Sequence, residues 1–457
     1  MAQHLVSINP ATGEQIQEYR VHMPDEVEER IEKAELAFQE WRRSVFAERQ
    51  FLLRRTAELL RVQKNDFARL MAEEMGKPLA QGVAEIEKCA WVCEYYAEKG
   101  EEFLQDIPVE TDASRSYVHF EPLGVLLAIM PWNFPFWQVF RFLAPALMAG
   151  NAVVLKHASN VTGCALAIEH LLYEAGAPKG LFAALILPSS AVEPVIRHPL
   201  IRGVTLTGST AAGQAVAAIA GSELKKTVME LGGSDPYVVL EDADLDPTVE
   251  TCVTSRLINS GQSCIAAKRF IVVHPIYERF VEKFVEAMRS KVMGNPLDDG
   301  IDLGPQARTD LRDSLHQQVV RSVQQGARLL LGGTIPDRPG AFYPPTVLAD
   351  VQKGMPVFDE ETFGPVAAII PAADEYEAVQ LANSSSYGLG AAVFTQDLEK
   401  AERIAREHLE AGNCFVNAFV RSDPRLPFGG IKASGYGREL SVFGIREFVN
   451  IKTVWIR

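Results

Sequence analysis

Between positions 25 and about 99, apolar residues return at three- and four-residue steps: Val27, Ile31, Ala34 and Phe38, then Leu52, Leu59 and Leu60. That period is helical, and few breakers interrupt it. From Gly124 the texture changes to short unbroken apolar runs, at 125–129, 152–155, 183–187 and 204–206. Helix-like stretches at 136–148 and 164–174 lie among them, the second closed by Gly176 and Pro178. Strands that are apolar throughout and alternate with helices call for a parallel sheet covered on both faces. The alternation restarts after Gly232-Gly233. Strands are predicted at 237–240, 270–273, 329–331, 366–370 and 391–394, and helices at 247–258, 277–291, 312–325, 376–384 and 398–410. A second α/β unit is therefore expected over about 232–420. The tail ends in a strand-like run at 448–456 with no partner nearby in sequence. Such a strand could pair with the sheet edge of another chain. There is no internal repeat and no low-complexity linker.

Length and composition narrow this picture. A chain of 457 residues is long for one core, so roughly two or three domains are expected. Lys and Arg number 45 against 59 Asp and Glu, a net charge of −14. That balance argues against a general phosphate-backbone binder, while leaving room for a local basic pocket. Six cysteines make no disulfide framework in so long a chain, which points to a reducing cytoplasm. The first ten residues lack the basic and apolar stretches of a signal peptide. The apolar segment 123–150 is broken by Asn133, Arg141, Pro131, Pro135 and Pro145, against the unbroken run that a membrane span needs.

Several residues could carry chemistry. Cys264 follows Asn259-Ser260-Gly261-Gln262-Ser263, a polar setting unusual for a core cysteine. It reads as a turn leading into a helix, where exposed backbone donors lower a thiol pKa and favour a nucleophilic thiolate. A structural thiol is the competing reading. Cys89 and Cys93 lie four apart on a predicted helix, and no Cys or His pair has zinc-like spacing, so these two read as packing residues and no metal is expected. Glu230, in Met229-Glu230-Leu231-Gly232-Gly233, is either a surface acid or a partly desolvated carboxylate able to act as a base. Gly208-Ser209-Thr210-Ala211-Ala212-Gly213 follows a strand and opens a helix, a setting that favours an anion, though it is not G-x-G-x-x-G. In Pro131-Trp132-Asn133-Phe134-Pro135, a carboxamide held between stiff prolines could donate to an oxyanion. Lys156 closes a strand, where open α/β sheets bind ligands.

The order of these motifs, with Glu360-Glu361-Thr362-Phe363-Gly364-Pro365 and Pro427-Phe428-Gly429-Gly430 downstream, resembles the aldehyde dehydrogenase superfamily from Ile8 to the final strand. The resemblance implies an α/β fold with an atypical Rossmann cofactor domain (1–109 and 126–231), a catalytic domain (232–425) and a bridging oligomerisation arm (110–125 and 430–457). It further implies a homodimer or homotetramer. Carried over by position, Cys264 matches the nucleophile, Glu230 the general base and Asn133 an oxyanion donor. Trp132, Lys156, Ser159, Gly208, Ser209, Glu361 and Phe363 match the cofactor-contacting set. Family members that prefer NAD often carry Glu where this chain has Ser159. A carboxylate there would repel a 2′-phosphate that Ser and Lys can bind, so NADP is the expected preference and NAD a possible second cofactor.

Ala266-Ala267-Lys268-Arg269-Phe270 and the stretch 419–440 are similar to the subgroup that oxidises succinate semialdehyde. Arg141 matches one carboxylate-binding arginine of that subgroup; a salt-bridged helix arginine is the competing reading. A second arginine found there is replaced by Ile258, for which Arg421 and Ser422 could compensate. The implied substrate is a small aldehyde with a distal carboxylate. The alternatives are glutarate or succinylglutamate semialdehyde, a broad aliphatic range, a CoA-acylating relative or a non-catalytic binding protein.

Overall fold

The computed structural model describes residues 4–457. The long helical period at the start becomes helices Pro24–Trp41, Phe46–Val62, Lys64–Met75 and Leu79–Phe103. Their apolar stripes, including Ile31, Phe38, Leu60 and Met71, share one core with the first sheet. That sheet runs, in spatial order, Gly435–Tyr436, Lys226–Glu230, Ile201–Thr207, Val125–Met130, Ala152–His157 and Phe182–Ala184. All neighbours are parallel except the short Gly435–Tyr436 edge. The second sheet runs Arg328–Leu331, Thr346–Ala349, Val366–Ala372, Arg269–Val273, Pro236–Val239, Gly390–Phe394 and Asn413–Val416. Only its first strand is antiparallel. It has a separate core that includes Tyr237, Phe270, Val347, Ile369 and Val393.

The apolar segment 123–150 resolves into the strand Val125–Met130 and the helix Trp137–Ala149, every residue of which is buried. A helix enclosed on all sides needs no polar face, which accounts for the uniform hydrophobicity. Among the described residues no helix is long and apolar enough to cross a membrane.

Registers place the functional loops. In the first sheet Ile129 pairs with both Lys156 and Leu206, and Thr207 with Glu230. The carboxyl ends of these strands are therefore level, and the loops after Met130, His157 and Thr207 share one edge with Glu230. In the second sheet Pro236 pairs with Arg269 and Arg269 with Ala368. The segments entering these strands, with Gly233, Cys264 and Glu361, gather at the amino edge.

The tail strand Val449–Ile456, without a partner nearby in sequence, pairs antiparallel with Arg115–Pro122 far upstream along its whole length. Some expectations need correction. The helix expected over 398–410 ends at Arg403 and continues as a wider turn, Ile404–His408. The strand expected at 183–187 is shorter, Phe182–Ala184, because Pro188 and a 3-10 turn follow. The strands Lys226–Glu230, Thr346–Ala349 and Asn413–Val416, and the hairpin His4–Ile8 with Gln15–Arg20, were not expected. They are short or polar, and their backbone pairing outweighs a weak pattern.

Candidate active site

Cys264 lies just upstream of the strand Arg269–Val273, so the turn leads into a strand and not into the helix its sequence suggested. Before it, Asn259, Ser260 and Gly261 have φ of 53°, 56° and 77°. Such left-handed backbone is costly for Asn and Ser, and the surroundings hold it in place. The Asn259 N–H donates to Gln81 Oε1 at 2.6 Å, Gly304 N–H donates to Ser260 Oγ at 3.0 Å, and Arg256 donates to the Gly261 carbonyl at 2.7 Å. Gly261 is required, because a Cβ there would collide with the Gly364 carbonyl. Beyond the turn, fully buried Lys268 donates to the carbonyls of Ser263 (2.9 Å) and Cys264 (2.8 Å), fastening the loop from below.

With no helix behind it, the thiol is not acidified. Burial pushes Cys264 up to about 12; Arg141 and Lys268 pull the other way, and Glu361 and Asp235 add to the rise. The Cys264 backbone N–H meets no backbone acceptor among the described residues. Asn133, buried in the loop after the strand Val125–Met130, donates from its side chain to the Gln262 carbonyl at 3.1 Å. Asn259 donates back to the Asn133 carbonyl at 2.6 Å. These two carboxamides tie the first sheet's edge to the turn bearing Cys264. An unengaged N–H beside an amide donor is an arrangement that can hold an oxyanion.

Glu230 ends the strand Lys226–Glu230 at the carboxyl edge of the first sheet. It is buried, and neither carboxylate oxygen has a hydrogen-bond partner. Burial raises its pKa well above the carboxylate range; Glu439 raises it further, while Arg141 and Arg438 lower it. Glu439, itself buried and raised, forms an ion pair with the Arg141 guanidinium. Arg141 also stacks over Phe428 at 4.8 Å and donates to Thr207 Oγ1 at 3.3 Å. The salt-bridged reading of Arg141 is thus realised, in a position that also faces the cavity below.

A cavity of about 210 Å³ opens beside Cys264, walled by Phe134, Trp137, Arg141, Ile258 and Phe419, with Lys88, Arg421 and Ser422 among its polar lining. Such a volume suits a short molecule. Ser422 is buried and accepts a hydrogen bond from Lys88 Nζ at 2.8 Å. Arg421 is exposed, 5.9 Å over the Phe419 ring. Glu230 lies outside this lining.

The remaining candidates sit on the facing edges. Lys156 donates to Ser189 Oγ at 3.2 Å, and its pKa is lowered by burial alone, with no acid beside it. Ser159 opens a 3-10 turn just after the same strand. Ser209 caps the helix Thr210–Ser222, accepting from the Ala212 N–H at 3.3 Å, with Gly208 before it. Glu361 accepts from the Gly233 N–H at 3.0 Å and lies 3.7 Å from Lys268. Trp132 and Phe363 meet edge to face at 5.6 Å, one from each sheet. A lysine free of acids, a helix N-terminus and the largely buried Glu361 carboxylate on the facing edge fit a phosphorylated dinucleotide. Cys89 and Cys93 are buried in the core.

Sequence reading missed Lys88, Lys268, Glu439 and the bracing role of Asn259. Lys88 stands among Glu85 and Glu87 on a long helix, where a charge ordinarily faces solvent. Glu439 carries no motif of its own; only the pairing of Phe428 with Glu439 across the loop brings it to Arg141.

Comparison with known proteins places this geometry. A succinate-semialdehyde dehydrogenase [NADP(+)] of Mycobacterium bovis is 50% identical over 455 residues, covering 99% of each chain. The crystal structure of a Streptococcus pyogenes succinic semialdehyde dehydrogenase in complex with NADP+ superposes with a TM-score of 0.97 at 38% identity, covering 99% of each chain. A lactaldehyde dehydrogenase structure is nearly as close in shape, with a TM-score of 0.96 at 32% identity over 100% of this chain and 96% of its own. The family model described as the aldehyde dehydrogenase family matches residues 2–454, and the chain belongs to that family.

Proposed function

We propose that the protein oxidises succinate semialdehyde to succinate with NADP+ as the preferred acceptor. The observation that carries the substrate class is the cavity beside Cys264, small and apolar for most of its wall, with cationic and hydroxyl groups at Lys88, Arg141, Arg421 and Ser422. An aldehyde with a distal acid matches that polarity, and the names of the mycobacterial and streptococcal relatives agree with it. The cofactor preference is supported by Ser159 in place of an acid, with Lys156 nearby and unpaired.

In this reading Cys264, once deprotonated, attacks the aldehyde carbon, and the carbonyl oxygen becomes an oxyanion held by the Asn133 amide and the Cys264 N–H. Bound NADP+ supplies the hydride acceptor, so that the adduct on sulfur collapses to a thioester. Lys156, Ser159, Gly208 and Ser209 would hold its adenosine and phosphate end, and Trp132, Glu361 and Phe363 the nicotinamide end. Ionised Glu230 then takes a proton from water, which adds to the thioester carbon and expels the Cys264 thiolate. Arg141, Arg421 and Ser422 face the substrate's far end. Residues 1–109 with 126–231 serve the cofactor, 232–425 carry the nucleophile, and 110–125 with 430–457 form an arm whose outer strand suits pairing in a homo-oligomer. Free thiols throughout suit a cytoplasmic enzyme.

The test is kcat/KM for succinate semialdehyde and for butanal, with NADP+ and with NAD+. Preference for the acid-bearing aldehyde and for NADP+ is expected. Equal use of the two aldehydes would overturn the substrate, and a strong preference for NAD+ the cofactor.

A further inference from the structure

Resting on that substrate reading, we infer that Lys88, with Ser422 beside it, is a further anchor for the substrate's distal carboxylate alongside Arg141, whose guanidinium also holds Glu439. The charges around the cavity differ in how far they are already engaged. Arg141 gives its guanidinium to the Glu439 carboxylate, to Thr207 and to the face of Phe428. Arg421 stands exposed at the rim. Lys88 comes in from the helix Leu79–Phe103, its ammonium 4.3 Å over the Trp137 ring and donating to Ser422 Oγ at 2.8 Å. Both of those partners are neutral.

The acids near Lys88 are engaged elsewhere. Glu85 is ion-paired with Lys77 and accepts the N–H groups of Phe136 and Trp137, each at 2.9 Å. Asp423 is held bidentately by Arg425, at 2.9 and 2.6 Å. Among the described residues no carboxylate pairs with Lys88. A largely enclosed ammonium without a counter-ion is unfavourable until an anion arrives, and this one lines the same cavity as Cys264. A carboxylate at that place would accept from Lys88 Nζ and from the Ser422 hydroxyl together, leaving the aldehyde end to reach the thiol.

Enclosure lowers the Lys88 pKa to about 8; Arg141, facing it from the helix Trp137–Ala149, lowers it further, and Cys89, Asp423 and Glu85 oppose this. The anchoring charge is therefore complete below that pH and is lost as pH rises through it. The KM for the semialdehyde should climb on the alkaline side, and butanal, with no carboxylate, should not share that limb.

The experiment compares Lys88→Met and Lys88→Arg with the unaltered enzyme, reading the ratio of kcat/KM for succinate semialdehyde to that for butanal. Lys88→Met should lower the ratio roughly 10- to 100-fold, the range for loss of a charge-assisted hydrogen bond, through KM more than kcat. Lys88→Arg should restore most of it and move the alkaline rise in KM to higher pH. A ratio that changes by less than about twofold in Lys88→Met, in an unaltered enzyme that does favour the semialdehyde, overturns the assignment of Lys88 alone. An unaltered enzyme with no such preference overturns the substrate reading beneath it.

Discussion

The turn that carries Cys264 and the strand end that carries Glu230 are built differently. The turn before the cysteine is densely bonded: three consecutive left-handed residues are held by Gln81, Gly304 and Arg256, and Lys268 fastens the carbonyls beyond. The region around Glu230 is the reverse. Two buried carboxylates face each other across one arginine, and Glu230 has no hydrogen bond at all. The contrast separates two requirements. A nucleophile and its oxyanion donors need fixed geometry, which many hydrogen bonds supply. A base needs a high proton affinity, which an under-solvated, like-charged setting supplies at some cost in stability.

The sharpest test of the rigid side is Cys264→Ala, expected to lower aldehyde oxidation by at least about 10⁴-fold while NADP+ binding, followed by calorimetry, persists. Appreciable turnover in that variant would remove the cysteine from the mechanism. Next in size is Asn133→Ala, which should cost roughly 100- to 1,000-fold in kcat with little change in KM. A change confined to KM would mean that Asn133 braces the turn without touching the oxyanion. The smallest effect probes the other side. Glu439→Gln removes the like charge that raises Glu230 and frees Arg141, which lowers it; both changes favour ionised Glu230. Because the proposed base works deprotonated, the acidic limb of the rate profile should move to lower pH. A stationary limb would uncouple the two acids.

Much of this was legible in the chain. Apolar runs alternating with helices announced two parallel sheets, and the motifs after strands picked out Asn133, Lys156, Ser209 and Glu230 as candidates, because loops at strand ends are where such sheets hold polar groups; Cys264 was picked out by its polar turn, which precedes a strand. What stayed hidden depends on contacts distant in sequence. Lys88 looks like any lysine of an amphipathic helix until Ser422 and Trp137 close over it. The Cys264 thiol is raised and not lowered because burial, which depends on the packing of both sheets around it, outweighs the pull of Arg141 and Lys268. The final strand looked unpartnered because Arg115–Pro122 lies so far upstream.

The exchange between Asn133 and the 259–262 turn has a further consequence. One carboxamide leaves the first sheet to reach a carbonyl belonging to the second, and another returns. The proposed reactive centre is therefore owned by neither half of the molecule: each sheet holds one part of a lock whose other part is carried by its neighbour. A fragment lacking either sheet would keep its strands yet lose the alignment of thiol and amide. Any ligand that slid one sheet against the other would withdraw Asn133, the proposed oxyanion donor, without moving the cysteine within its own loop.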